Sequence, residues 1–137
     1  MKTKTIFITG LLIFLISVCG TTTVIAQEQT SIKTSKIQVN KGVVYEEEYN
    51  FYFDKDNVRI STDEKQPLFN QNIGTSFMGY QIESKKKAEF NGEKMIIYSL
   101  SETIISKHYS TLIILPQKKI ITFTNEYDNT IYRFYYE

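Results

Sequence analysis

The C-terminal segment Thr111–Tyr136 constrains the fold more than any other part of the chain. Two clusters of turn-forming residues, Pro116–Lys119 and Glu126–Asn129, divide it into three short runs rich in β-branched and aromatic residues. Side chains alternate faces along a strand, so a slip of one residue would turn every apolar side chain to the wrong face. The segment therefore predicts three antiparallel strands in one register. The predicted pairs are Leu112 with Phe123, Ile114 with Ile121, Phe123 with Tyr132 and Ile121 with Phe134.

The two faces of this predicted sheet differ in composition. One face is wholly apolar and needs a second layer to cover it; its residues are Leu112, Ile114, Ile121, Phe123, Tyr132 and Phe134. The other face mixes threonines with Arg133 and apolar side chains, namely Ile113, Leu115, Ile120, Ile131 and Tyr135. This second face is either covered as well or is an exposed apolar patch of the kind that binds partners.

An earlier hairpin shows the same alternation. Apolar residues recur at every second position over much of Val43–Phe53, and the turn formers that follow return the chain through Val58–Ser61. The predicted pairs are Phe53 with Val58, Phe51 with Ile60, Tyr52 with Arg59 and Asn50 with Ser61. Glu47 falls in phase with the apolar positions. Either a β-bulge at Glu46–Glu48 turns its side chain outward, or a carboxylate points inward; the bulge is favoured because a buried unpaired carboxylate is costly.

Asn91–Gly92 is the sharpest local turn signal. Both central residues of a type I′ turn need positive φ, which asparagine and glycine tolerate. Closing the chain there predicts a hairpin with Phe90 opposite Glu93, Glu89 opposite Lys94 and Ala88 opposite Met95. The following run, Met95–Ser101, has apolar residues on both faces and predicts a central strand.

Two segments have no sustained period. Residues 27–40 are polar and predict a flexible leader, with Ile37 and Val39 as the earliest candidates for a short strand. Residues 102–110 fit a short helix as well as a strand.

A long loop is predicted over residues 61–76, which hold a proline, a glycine and many polar side chains. A structureless connection of this length in a small domain is often a lid or a binding loop. The alternative, which we favour, is that Leu68, Phe69 and Ile73 plug one open end of the sheet system.

These elements amount to seven to nine strands at short, regular spacing, with no internal repeat and no second domain. They predict an all-β fold, a small antiparallel meander that closes as an up-and-down barrel or folds as a two-sheet sandwich. The β domain is expected to span residues 41–137, after a signal peptide over 1–26 and the leader.

The N-terminus has the layout of a signal peptide. A basic start precedes the apolar run Thr5–Gly20, and the segment Val24–Ala26 suits cleavage after Ala26. The run is too short for a membrane-spanning helix, which needs about 20 apolar residues. Lipidation of Cys19 is the alternative, but a bulky Val18 stands where a small residue is expected. We therefore expect export to the periplasm, the cell envelope or the medium, without a transmembrane helix in the mature form.

Composition argues against several function classes. Removing residues 1–26 leaves 111 residues, which keep 14 of the 16 basic side chains and all 15 acidic ones. Only Lys85–Lys87 forms a basic run, so no nucleic-acid partner is expected. Cys19 is the only cysteine, which excludes structural disulfides and thiolate metal sites from the mature domain. No cofactor is expected.

The case for catalysis is weak. His108 is the only histidine, and neither a nucleophile elbow nor zinc-ligand spacing accompanies it. Asp54–Asn57 lacks the glycine and the bidentate glutamate of a calcium loop, so it predicts a hairpin turn. We assign no catalytic and no metal-binding residue. A small hydrolase is kept as the second alternative function.

A non-enzymatic binding module is the function that the sequence favours, with an unknown protein, glycan or envelope component as partner. Tyrosine is common at interfaces, and several of the ten tyrosines are expected on less apolar faces or loops, namely Tyr52, Tyr98, Tyr127 and Tyr135. The candidate binding residues are Ile113, Ile120, Ile131, Arg133 and Tyr135. The first alternative is a lipocalin-like carrier of a small apolar ligand. It is disfavoured because bulky residues would fill a small barrel and the chain has no tryptophan near its first strand.

Overall fold

The protein is an antiparallel β-barrel in a computed structural model that describes residues 30–69, 77–102 and 109–137. In these residues the chain forms nine strands and no helix, which confirms the predicted all-β class. The strands are β1 (Thr30–Val39), β2 (Val44–Tyr45), β3 (Tyr49–Phe53), β4 (Asn57–Ser61), β5 (Phe77–Phe90), β6 (Glu93–Glu102), β7 (Tyr109–Leu115), β8 (Ile120–Asn125) and β9 (Thr130–Tyr136). Of the expected plug residues, Ile73 lies outside the described residues, as do His108 and most of 102–110.

Pairing between the first and last long strands closes the barrel. Around the sheet the order is β9-β8-β7-β6-β5-β4-β3-β1, and all pairs are antiparallel. β9 also pairs with β1, where Phe134 lies opposite Ile37. The ninth strand, β2, pairs with β1 beside β3 and is not one of the eight barrel strands. The structure thus selects the closed up-and-down barrel over the two-sheet sandwich.

The predicted hairpin registers are confirmed. β7, β8 and β9 pair with Leu112 opposite Phe123 and with Ile121 opposite Phe134, and β3 and β4 pair with Phe53 opposite Val58. The β5–β6 hairpin closes at Asn91 and Gly92, whose φ angles of 52° and 79° are both positive, as a type I′ turn requires. Pairing of β6 with both β5 and β7 confirms that it is a central strand.

The barrel begins earlier than predicted. A flexible leader over 27–40 was expected, whereas β1 occupies most of that range and buries Ile37 completely. The register between β1 and β9 shifts by one residue at Ser35. Before this bulge the inward-facing side chains are at even-numbered positions, Ile32 and Thr34, and after it they are at odd-numbered ones, such as Ile37. The sequence therefore shows no continuous period of two along β1.

A second irregularity separates β2 from β3. Tyr45 pairs with Ile37 and Tyr49 pairs with Thr34, so four steps along β2–β3 match three steps along β1. This extra residue is the bulge predicted near Glu47. The Glu47 side chain is half-buried and does not turn fully outward, because it accepts hydrogen bonds from Tyr49 and Leu68.

Inward-facing side chains fill the barrel with one hydrophobic core. It is rich in aromatic rings, which meet mostly edge to face at centroid distances of about 5–6 Å, as in Tyr49 with Phe134 (5.1 Å) and Phe51 with Phe134 (4.8 Å). Further completely buried side chains are Val58, Leu100, Leu112 and Ile121. The barrel interior is therefore a packed core in the part of the chain that the structure describes.

Candidate binding surfaces

The five candidate binding residues lie together on the outside of the barrel. Ile113 neighbours Thr122, which neighbours Arg133, and Ile120 neighbours Tyr135 on the adjoining strand. Each of these side chains is partly exposed, whereas the alternate positions on the same strands are mostly buried. We call the outward-facing residues of β7, β8 and β9 the outer patch; its apolar and charged members are Ile113, Leu115, Ile120, Ile131, Arg133 and Tyr135.

The outer patch continues onto β6. Ile97 lies opposite Ile113, and both point away from the core. Leu115 lies opposite Ile120, so that apolar side chains run across neighbouring strands without a charged residue between them. Adjacent apolar side chains on one sheet face cover each other's flanks, which accounts for their partial burial. The patch thus contains an apolar strip of Ile97, Ile113, Leu115 and Ile120, which Thr122 and Arg133 border.

Three members of the patch also hold the barrel closed. Arg133 donates a hydrogen bond from Nη1 to the backbone oxygen of Asn40 (2.9 Å), and the Tyr135 hydroxyl donates to Oε1 of Gln38 (3.1 Å). Asn40 continues the ladder beyond β1, since its amide donates to the Ile131 oxygen and its Oδ1 accepts from the Ile131 amide. Arg133, Tyr135 and Ile131 therefore have a structural role at the β1–β9 seam, whereas Ile113 and Ile120 lie away from it.

A loop plugs one end of the barrel, as the sequence favoured. Phe69 is 3 % exposed and its ring packs against four others inside the barrel. The ring centroids are 4.9 Å from Tyr132, 5.0 Å from Phe123, 5.5 Å from Phe134 and 6.1 Å from Tyr49. Leu68 packs against the same core from a partly buried position. Phe69 thus fills space that a ligand would need in a carrier.

Glu47 and Tyr49 hold this plug. Oε1 of Glu47 accepts hydrogen bonds from the Tyr49 hydroxyl (2.7 Å) and from the Leu68 amide (3.1 Å). The hydroxyl oxygen of Tyr49 in turn accepts a hydrogen bond from the Phe69 amide (3.1 Å). The carboxylate that the sequence left unexplained is thus paired, which removes the cost of turning it toward the barrel. Burial raises the pKa of Tyr49 far above its usual value near 10, and the neighbouring Glu47 raises it further, while the bond from Phe69 lowers it.

The opposite end of the barrel carries lysines over aromatic rings. Lys85 Nζ lies 5.5 Å from the Tyr98 ring centroid, and Lys119 Nζ lies 5.7 Å from that of Tyr136. Tyr98 was expected on a less apolar face but is 5 % exposed, and burial raises its pKa. A cleft of about 560 Å³ opens beside the β5–β6 turn, lined by Lys87, Ala88, Glu89, Lys94, Met95, Ile96 and Pro116. The sequence showed the basic run but not these aromatic contacts, since the first depends on the β5–β6 register and the second on that of β8 and β9.

Few side chains of the described residues are arranged as a catalytic group would be. Ser101 donates a hydrogen bond to Oε2 of Glu83 at the β5 bulge, but the one histidine of the chain lies outside the described residues. Within residues 30–69, 77–102 and 109–137, no group of three or more histidine, cysteine or carboxylate side chains could hold a metal ion. The same residues include no helix long and apolar enough to cross a membrane.

Comparison of the chain with models of known protein families, with curated proteins and with solved structures found no match.

Proposed function

We propose that this β-barrel is an exported, non-enzymatic binding module that contacts its partner through the outer patch. The observation that carries the proposal is the partly exposed apolar strip on β6–β8, which Arg133 and Tyr135 on β9 border. It combines isoleucine and leucine with Tyr135 and Arg133, and tyrosine and arginine are the two of these residue types that supply much of the binding energy at protein interfaces. Its apolar character favours a partner that presents an apolar surface of its own, whether a protein, a glycan or another envelope component.

The packed interior also supports this assignment. In a carrier, the ligand needs a cavity of roughly 300–1,000 Å³ among the inward-facing side chains. Phe69 and the rings around it occupy that space in the part of the chain that the structure describes. A ligand would have to displace the plug, together with the hydrogen bonds that Glu47 and Tyr49 make to it. A lipocalin-like carrier is therefore the alternative rather than the proposal.

Paired substitutions on β7 and β8 test the patch. We expect Ile113→Ser with Ile120→Ser to abolish retention of a partner by the immobilised protein, because two serines replace the centre of the apolar area. Both residues point outward and lie away from the seam. The double variant should therefore remain folded in the absence of urea, with only a modest fall in its urea midpoint. Tyr52→Ser, an outward-facing position 37 % exposed on β3, is the matched control and should retain the partner.

Two results would contradict the proposal. Equal retention by the double variant and by the Tyr52→Ser control would mean that the partner binds elsewhere. Native mass spectrometry that finds an apolar molecule bound to the purified wild type, and lost on Phe69→Trp, would favour the carrier.

Export has a separate test. Mass spectrometry of the protein recovered from the producing cells should give a mature form that begins at Gln27, because cleavage is expected after Ala26. A diacylglycerol-modified N-terminus at Cys19 would contradict this and would make the protein membrane-anchored.

A further inference from the structure

The long strand β5 leaves the barrel halfway along its length and exposes a backbone edge. Up to Ile82 it pairs with β4, and the last hydrogen bond on that side runs from the Ile82 amide to the Asp56 oxygen (2.8 Å). A one-residue bulge follows between Ile82 and Ser84, and such a bulge bends and twists the strand. From Ser84 to Phe90 only β6 pairs with β5 among the residues that the structure describes.

The hairpin register determines which backbone groups point to this edge. Phe90 and Glu93 flank a two-residue turn and exchange both of their hydrogen bonds, so the amides of Phe90, Ala88 and Lys86 face β6. The amide and carbonyl groups of Lys85, Lys87 and Glu89 consequently face the open side. The Lys94 amide supports this phase, since it donates to Oε1 of Gln117 across the other side of β6 (2.7 Å) and not to its partner Glu89.

The edge carries a charge that selects what can pair with it. Lys85, Lys86 and Lys87 are all exposed, and Lys85 is oriented over the Tyr98 ring. Lysines on an open edge are a common device against edge-to-edge pairing of two copies. Glu83, the carboxylate nearest to this run on its N-terminal side, is hydrogen-bonded to Ser101. Three lysines and Glu89 give the segment Lys85–Glu89 a net positive charge.

We propose that the open edge of β5, Lys85–Glu89, binds an extended acidic peptide segment of a partner protein by strand addition. The peptide completes hydrogen bonds with the outward amide and carbonyl groups of Lys85, Lys87 and Glu89, while its carboxylates pair with the lysines. Backbone bonds supply the affinity in this mode of recognition, and the side chains supply the specificity. The site is separate from the outer patch.

Hydrogen exchange of individual amides provides the test. The probe is a synthetic peptide of about seven residues that alternates glutamate with valine, which is long enough to pair along the whole edge. In the free protein, we expect the amides of Lys85, Lys87 and Glu89 to exchange fast and those of Lys86 and Ala88 to exchange slowly. Adding the peptide should slow the first set without changing the second, and raising the salt concentration should weaken the effect. Uniform protection along Lys85–Glu89, or none, would overturn the proposal.

Substitutions separate the backbone contribution from the charge. Lys87→Pro removes an outward amide but no bond to β6, so the hairpin should persist while peptide affinity falls at least about tenfold. Lys87→Ala keeps that amide and should cost less. Lys85→Glu with Lys87→Glu should weaken binding by more than about tenfold, whereas Lys41→Glu, an exposed lysine in the β1–β2 turn, should not change it. Equal affinity of Lys87→Pro and wild type, or equal binding of a lysine–valine peptide, would refute strand addition to this edge.

Discussion

Replacing Phe69 by alanine tests most directly how the barrel interior is filled. The side chain is 3 % exposed, so its removal forfeits about 1.5–3 kcal/mol of apolar burial. It also leaves a cavity bounded by four aromatic rings whose centroids lie 4.9–6.1 Å from the Phe69 ring. Substitutions of this kind typically cost about 3–5 kcal/mol. We expect a loss of about 4 kcal/mol in the free energy of unfolding.

Urea denaturation followed by tyrosine fluorescence measures this loss. With a slope of about 2 kcal/mol per molar urea, typical of a small domain, the midpoint should fall by about 2 M. Phe90→Ala is the matched control, because Phe90 is 69 % exposed and its loss should change the free energy of unfolding by less than about 0.5 kcal/mol. If Phe69→Ala cost less than about 1 kcal/mol, Phe69 would not be a buried plug.

The same variant reports on the alternative function. An apolar cavity that stays dry can bind a small aromatic molecule, so benzene should raise the thermal midpoint of Phe69→Ala but not that of the wild type. Stabilisation of the wild type by benzene would show that the native interior already admits an apolar ligand, which contradicts the packed core and supports a carrier.

Three further predictions concern local features. Gly92→Val should cost more than about 1 kcal/mol, because Gly92 has a φ of 79° and a Cβ there would meet nothing within 4 Å, so backbone strain alone is responsible; an unchanged urea midpoint would contradict the turn. Tyr49→Phe should destabilise by about 1–3 kcal/mol near neutral pH, since it leaves the Phe69 amide unpaired. Because the pKa of Tyr49 is raised, the folded state keeps a proton that the unfolded state loses above about pH 10. The free energy of unfolding should therefore fall as the pH rises from there, by up to about 1.4 kcal/mol per pH unit. The decline should be shallower in Tyr49→Phe, and equal slopes in the two proteins would refute the assignment. Lys33→Ala should change the free energy of unfolding by less than about 0.5 kcal/mol, because its 3.5 Å ion pair with Glu48 is solvent-exposed, and a larger loss would contradict this.

The sequence identified the residues of the outer patch, but it did not show which of them also bond across the β1–β9 seam. Alternation along β7–β9 was enough to place Ile113 and Ile120 on the face opposite the core. That Arg133 and Tyr135 bond across the seam to Asn40 and Gln38 could not be predicted, because those partners lie more than 90 residues away in the chain. The open edge of β5 could not be predicted from the sequence either, since it depends on where β4 ends relative to the β5–β6 hairpin.

The hairpin registers of β3–β4, β5–β6 and β7–β9 were determined by the sequence alone, whereas the extent of β1 was not. Turn chemistry at Asn91–Gly92 and alternation on either side of short loops act over a few residues, so they specify which side chains meet without reference to the rest of the fold. Tertiary structure decided the closure of the barrel and the contents of its interior. β1 joins β9 across a bulge that breaks the period of two, and Phe69 enters the core from a loop that has no period at all. In both cases the driving force is burial against distant residues, so the sequence offered the plug by Phe69 only as one of two alternatives and did not show the length of β1.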